Sequence, residues 1–370
     1  MISVFGSKIG KKEIDNVVEC MNSQWMGFGK NVEKFEFEFQ RILQLKNFCM
    51  LDSGSNALFM AVKLLDLPKN SEIILPSFTW VSCAQSILMA GHKPVFCDVD
   101  IDTMNVRKKD IIKQISKNTA AIMVVDYAGL PVDMDSIKEL NIPIIEDAAH
   151  AVHSLYKGHA CGSLADIAIY SFDSVKNLAV GEGGGITAQN DQLIERAKTL
   201  RYCGIGKSGF DKAIENDNNK SRWWEYDIKE PFIKMLPTNI SGAIGVAQLS
   251  ELENLQNIRK RIWNVYQQEF SNVDCIITPV DANDSDRHSF FTFCIRVPKR
   301  DSLAKYLLDR GIYTTLRYHP LHMNSLYKQT DKKLINTEKL NESALSIPLH
   351  PRLSDDDIEK VIGSIKSFYV

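Results

Sequence analysis

Three short polar clusters combine residue types that can do chemistry. Glu146-Asp147-Ala148-Ala149-His150 follows an apolar run at 142–145. A carboxylate just past a buried strand can hold the protonated nitrogen of a heterocycle; equally, Asp147 can cap the next helix and His150 can be a satisfied core residue. Ser171-Phe172-Asp173-Ser174-Val175-Lys176 follows a second apolar run and precedes the glycine-rich stretch 181–185. A lysine withdrawn from water has a lowered pKa and becomes an amine that can form imines. The glycines would let backbone approach a bulky ligand. Outside such a context, a lone lysine is an ordinary surface charge. Asp52-Ser53-Gly54-Ser55-Asn56 leads into a helical pattern, with Ser55 as its expected N-cap. Exposed N–H groups at a helix start suit a phosphate, although an N-cap alone is common.

The elements that must position these clusters are read from periodicity. Apolar runs at 73–75, 94–96, 122–125, 142–145, 167–171 and 185–187 alternate with helical patterns. They are apolar throughout rather than alternating, as strands buried on both faces are. That order predicts an α/β domain with a mostly parallel sheet flanked by helices. A long helix is predicted over 239–270. A smaller α/β unit follows, with strands at 290–297 and 312–316, a helix at 302–309 and a last helix begun by Ser354 and Asp357. The expected division is a large domain at 1–245 and a small C-terminal domain at 246–370. The polar stretch 206–230, with Trp223 and Trp224, is too long for an ordinary connection and reads as an insertion.

Composition narrows the partners. A formal net charge of −2 across 370 residues gives no field that would gather nucleic acid. No apolar run approaches the ~20 residues needed to span a bilayer, and residues 1–13 lack the features of a signal peptide. The 8 cysteines show no C-x-x-C pair, which favours a reduced, cytoplasmic protein. Gly204 to Gly209 fits G-x-G-x-x-G, but a helical pattern precedes it where that motif requires a strand. His150/His153 and His319/His322 lack a convincing third ligand, so no metal site is expected.

In this order and spacing, several segments resemble the DegT-type sugar aminotransferases, a group of fold-type I pyridoxal-5′-phosphate (PLP) enzymes. They are SGSNAL at 53–58, PSFTWVSCAQSILMAGHKPVFCDVD at 76–100, EDAAHA at 146–151, YKGHACGSLADIAIYSF at 156–172, KNLAVGEGGGI at 176–186, TNISGAIGVAQLSEL at 238–252 and RYHPLHMNSLY at 317–327. The likeness covers almost the whole chain. It implies that Lys176 forms the Schiff base with PLP and that Asp147 pairs with the pyridinium nitrogen. It further implies that His150 lies near the phenolic oxygen, that Trp80 stacks on the ring, and that Ser171 with the backbone of Gly54 and Ser55 cradles the phosphate. Lys234 matches a residue that reaches the phosphate from a second subunit of a homodimer. FIKMLPTNIS at 232–241 departs from the family's commoner G-Y-N-x-R-M-type run, which leaves Lys234 the loosest of these matches.

The resemblance implies transfer of an amino group from an amino acid, usually glutamate, to a nucleotide-linked 4-keto-6-deoxy sugar, with a 3-keto sugar as the alternative. Related PLP-dependent dehydratases of the fold carry His in place of the lysine, and Lys176 argues against that activity. A non-catalytic sensor on the same fold is opposed by the intact Asp147, Ser171 and Lys176 set. The insertion is expected either to cover the nucleotide or to be a solvated loop.

Overall fold

The computed structural model describes residues 1–208, 222, 224–329 and 331–369. Its centre is a seven-stranded sheet built from β1 (Cys49–Leu51), β2 (Glu72–Pro76), β3 (Lys93–Cys97), β4 (Thr119–Val125), β5 (Ile144–Asp147), β8 (Ile167–Ser171) and β9 (Gly184–Ala188). A two-stranded hairpin, β6 (Leu155–Tyr156) and β7 (His159–Ala160), lies between β5 and β8 in the chain. The spatial order is β1-β9-β8-β5-β4-β2-β3, and β9 alone runs against the others. The expected mostly parallel α/β sheet is therefore present. Strands β5, β8 and β9 are buried at every position because helices cover both faces.

Local chemistry accounts for the places where the structure departs from expectation. β1 went unrecognised, since three apolar residues are too short to show a period. Ser53, not Ser55, caps the helix Gly54–Leu64: its backbone is extended and its hydroxyl accepts the Asn56 N–H at 3.1 Å, which leaves Ser55 in the first turn. The strand expected from Phe290 starts only at Phe293, because Phe290 sits at φ 51°, outside the extended region. The expected strand at 312–316 is not one. This segment makes single bridges, Ile2 to Ile312 and Thr315 to Ser346, and then turns towards the sheet. The small sheet pairs β12 (Phe293–Arg296) with β13 (Ala344–Ile347).

The helix Asn239–Phe270 joins two apolar cores. Leu249 and Leu252 pack in the cluster that contains Phe35 and Phe39 of the helix Lys30–Leu43. Ile262, Trp263, Tyr266 and Phe270 enter a second cluster with Phe293, Leu303 and Val361. The 245/246 position falls inside this helix. Short strands β10 (Ile205–Ser208) and β11 (Tyr226–Ile228) bracket the polar insertion. Gly209 and Trp223 lie outside the described residues, and Trp224 is exposed. All eight cysteines are free. Among the described residues, no helix is long and apolar enough to cross a membrane.

Candidate active site

The carboxyl ends of β1, β2, β5 and β8 converge on one cavity of about 360 Å³, inside the range of small-molecule sites, about 300–1,000 Å³. Asp147 is the last residue of β5 and Ser171 the last of β8, so adjacent parallel strands deliver them to the same edge. Lys176 and His150 come from the loops that follow. Gly54, Ser55 and Trp80 complete the wall from the starts of two helices. Seven of the eight expected site residues therefore line one space. Lys234 does not: it is exposed and is not among the lining residues.

Asp147 is buried, and burial raises its pKa. Its oxygens accept the Ala149 N–H at 3.0 Å and the Cys83 thiol at 3.1 Å. Among the described residues it makes no ion pair, and the nearby Lys176 charge lowers its pKa less than burial raises it. Lys176 is buried against the Phe291 ring, its Nζ 4.9 Å from the ring centre. Burial first, and the Arg317 charge second, lower its pKa from 10.5 to about 8. A substantial neutral fraction near pH 8 is what a nucleophilic amine needs. His150 is kept neutral, chiefly by burial and then by the charges of Lys176 and Arg317. Its ring stacks on Phe291 at 3.9 Å and its Nε2 lies 3.1 Å from the Tyr318 hydroxyl.

The turn after β1 is a cradle that depends on absent side chains. A Cβ on Gly54 would come within 2.7 Å of the Ser171 Cβ. A Cβ on Gly184 would come within 2.3 Å of the Ser53 carbonyl oxygen. The glycine-rich run thus makes room for the Ser53-Gly54 turn, not directly for a ligand, which corrects the expectation from sequence. Ser55 and Ser82 hydroxyls lie 2.7 Å apart beside the same helix start. Hydroxyls gathered at unpaired first-turn N–H groups form an anion cradle. Gly54→Ala is expected to cost about 1–3 kcal/mol of stability through overpacking, read from the midpoint and slope of urea unfolding. An unchanged midpoint would show that the turn can yield.

Behind Asp147, a second acidic pair faces the opposite side of the sheet. Asp126 accepts the Val132 N–H at 2.9 Å and Glu146 accepts the Gly162 N–H at 2.7 Å. The remaining oxygen of each is buried without another partner, and these oxygens lie close to each other and to Cys161 Sγ. Burial raises all three groups, Asp126 to about 6 and Glu146 well above its usual range, so both carboxyl groups keep their protons to higher pH than free ones do. Raised carboxyl pKa values mean that this stabilisation is full below the unfolded values, near 4, and is lost as pH rises through the folded ones. Glu146→Gln should flatten the fall in melting temperature above about pH 6. A slope equal to that of the parent would contradict the raised Glu146 pKa. The two histidine pairs diverge: His150 meets Tyr318, His153 meets Glu253, His319 meets Asn341 and His322 meets Ser77.

Phe291, Arg317, Tyr318 and Cys83 were not singled out as site residues. Arg317 and Tyr318 lie within the 317–327 segment that signalled a late active-site stretch, but nothing in their type separated them from their neighbours.

Residues 7–366 match the DegT/DnrJ/EryC1/StrS aminotransferase family. The chain is 34% identical over 370 residues, 98% of this chain and 95% of the other, to the dTDP-4-dehydro-2,3,6-trideoxy-D-glucose 4-aminotransferase of Saccharopolyspora spinosa. In structure it is similar to the aminotransferase TlmJ from Streptoalloteichus hindustanus, with a TM-score of 0.93 and 33% identity over 99% of this chain and 98% of that one. It is also similar to the PLP-form of the putative sugar aminotransferase Spr1654 from Streptococcus pneumoniae, with a TM-score of 0.88 and 26% identity over 98% and 97% of the two chains. The overall fold expected from the sequence is borne out by these likenesses.

Proposed function

The chain belongs to the DegT/DnrJ/EryC1/StrS aminotransferase family, and we propose that it uses PLP to move an amino group from an amino acid, glutamate by preference, to a nucleotide-linked 4-keto-6-deoxy sugar. The observation that supports this reading is that Asp147 and Lys176, a buried acid and a buried amine, line one cavity. The keto position rests on likeness to a relative whose name specifies a 4-aminotransferase.

The residues present fit the cofactor: a carboxyl group for a ring nitrogen, an amine for an aldehyde, and a cradle for a phosphate that an added Cβ would close. PLP, when bound, supplies an electron sink for the carbanion formed at the donor's Cα. Asp147 would hold the proton on the ring nitrogen, and a cation there would draw its raised pKa down. Lys176 Nζ would hold the aldehyde carbon. Once displaced by the donor amine, it would carry the proton from Cα and return it at the far end of the shift. Ser171 and Ser55, with the first-turn N–H groups of Gly54 and Ser55, would orient the phosphate. Trp80, 52% exposed at the mouth and 5.4 Å from the Tyr318 ring, would cover one ring face and exclude water. His150, neutral and steadied by Phe291, would sit beside the phenolic oxygen.

We infer a cytoplasmic homodimer with a domain division near 245/246. Lys234, exposed and not among the lining residues of its own cavity, would serve the phosphate of a partner's site. The test is to incubate the holoenzyme with glutamate and a panel of nucleotide-linked 3-keto and 4-keto sugars and read product masses. A product one amine-for-ketone exchange from a 4-keto sugar supports the reading; reaction with 3-keto sugars alone, or with none, overturns it.

A further inference from the structure

We propose that Cys83 is a positioning residue for the transfer, its thiol fixing the Asp147 carboxylate so that the charge faces the cofactor's ring nitrogen; the assignment rests on the aminotransferase reading above. Cys83 is fully buried, and its Sγ donates to Asp147 Oδ2 at 3.1 Å. The other oxygen, Oδ1, accepts the Ala149 N–H at 3.0 Å. That second contact is backbone and comes with the turn after β5. The thiol contact is the one side-chain hydrogen bond to Asp147 among the described residues. Together the two contacts set the plane of the carboxyl group.

The fold brings the thiol to that place. Cys83 lies in the first turn of the helix Val81–Met89, which follows β2. β4 separates β2 from β5 in the sheet, and the Cys83 side chain spans that gap. Trp80, at the N-cap of the same helix, lines the cavity. One element therefore carries both the aromatic placed to cover the ring and the thiol that steadies the acid. Thr79, also buried and in the cavity wall, has its hydroxyl 3.2 Å from the Cys83 sulfur. With the thiol hydrogen given to Asp147, the Thr79 hydroxyl can donate to the sulfur.

A thiol suits this task because it is a weak donor. It holds the carboxylate's orientation while leaving most of the negative charge for the ring. Burial first, and the Asp147 charge second, keep the Cys83 pKa well above its usual range, so the hydrogen stays on sulfur. Burial raises the Asp147 pKa, and the Ala149 and Cys83 hydrogen bonds work against that rise by favouring the charged acid. The thiols of Cys20 and Cys49 only approach backbone carbonyls, at 3.8 and 3.9 Å. A side chain that merely filled the core would not need the closer contact to a charged oxygen.

The experiment reads two NMR signals on the full chain. One is the ring-nitrogen resonance of isotope-labelled pyridoxal phosphate in the loaded protein. The other is the carboxyl-carbon resonance of labelled aspartate in the protein without cofactor, assigned by its loss in Asp147→Asn. Cys83→Val stays apolar and close in size but cannot donate. It should raise the Asp147 titration midpoint by about one pH unit, because the lost bond favoured the charged form. The more basic carboxylate should draw the ring proton towards itself and move the nitrogen resonance towards its unprotonated position. Turnover should fall about 3- to 10-fold, with the KM of glutamate within about 2-fold. Cys83→Ser keeps a donor, and a stronger one, so its midpoint should lie at or below the parent's. Cys83→Ala also lacks the donor and carries the comparison if the valine variant does not fold. A core-filling role would reverse the order, with valine tolerated and serine not. Valine and alanine midpoints equal to the parent's, or a serine midpoint raised like valine's, would overturn the assignment. Midpoints that shift as expected in a protein whose bound ring nitrogen is never protonated would instead refute the cofactor role of Asp147 and leave the thiol's hold on it standing.

Discussion

Lys176→Ala should lower amino transfer by at least about 10⁴-fold, the size expected when one group serves as both nucleophile and proton carrier. Its fold should survive, because Nζ makes no ion pair among the described residues and contacts the face of the Phe291 ring, 4.9 Å from the centre. The measurement is single-turnover product formation at saturating donor, beside a melting curve. Added methylamine should restore part of the rate, since a free amine can carry the Cα proton that the alanine cannot. A variant that keeps within 10-fold of the parent rate would mean that another base moves that proton.

Asp147→Asn should cost about 10²–10³-fold in turnover, the scale of losing one preorganised electrostatic contact in a water-excluded site. Asparagine keeps the shape and the Ala149 contact but cannot balance a protonated ring nitrogen. The loss should appear in kcat rather than in the donor's KM, because the charge matters most when electrons flow into the ring. Asp147→Glu keeps the charge on a longer arm and should fall between the two. A fall in cofactor affinity with kcat preserved would reduce Asp147 to an anchor.

Much of this site could be read along the chain because parallel strands place sequence-distant residues at one edge. Runs that are apolar throughout predicted β5 and β8, and residues just past them had to emerge together. Asp147, Ser171 and Lys176 were legible for that reason. The glycines at 183–185 were visible, but their purpose was not: only the folded packing shows Gly184 making way for the Ser53 carbonyl. Ser53 and Ser55 compete as caps on sequence alone, and backbone conformation decides between them. Arg317 and Phe291 were hidden for a deeper reason. They arrive from the C-terminal third, where Phe290 breaks the strand with a left-handed φ and 312–316 leaves its edge after single bridges. No local period marks residues that reach a site in that way. The raised pKa values of Asp126 and Glu146 are likewise a product of tertiary burial.

The central claim is that one amine, Lys176 Nζ, holds the cofactor opposite Asp147. It is tested most directly by loading the protein with pyridoxal phosphate, reducing it with borohydride, digesting it and locating the pyridoxyl group by mass spectrometry. The account predicts a single modified lysine in the peptide that contains residue 176, formed more readily as pH rises through about 8, where that amine loses its proton. Modification at a different lysine, or none with the cofactor bound, would contradict it.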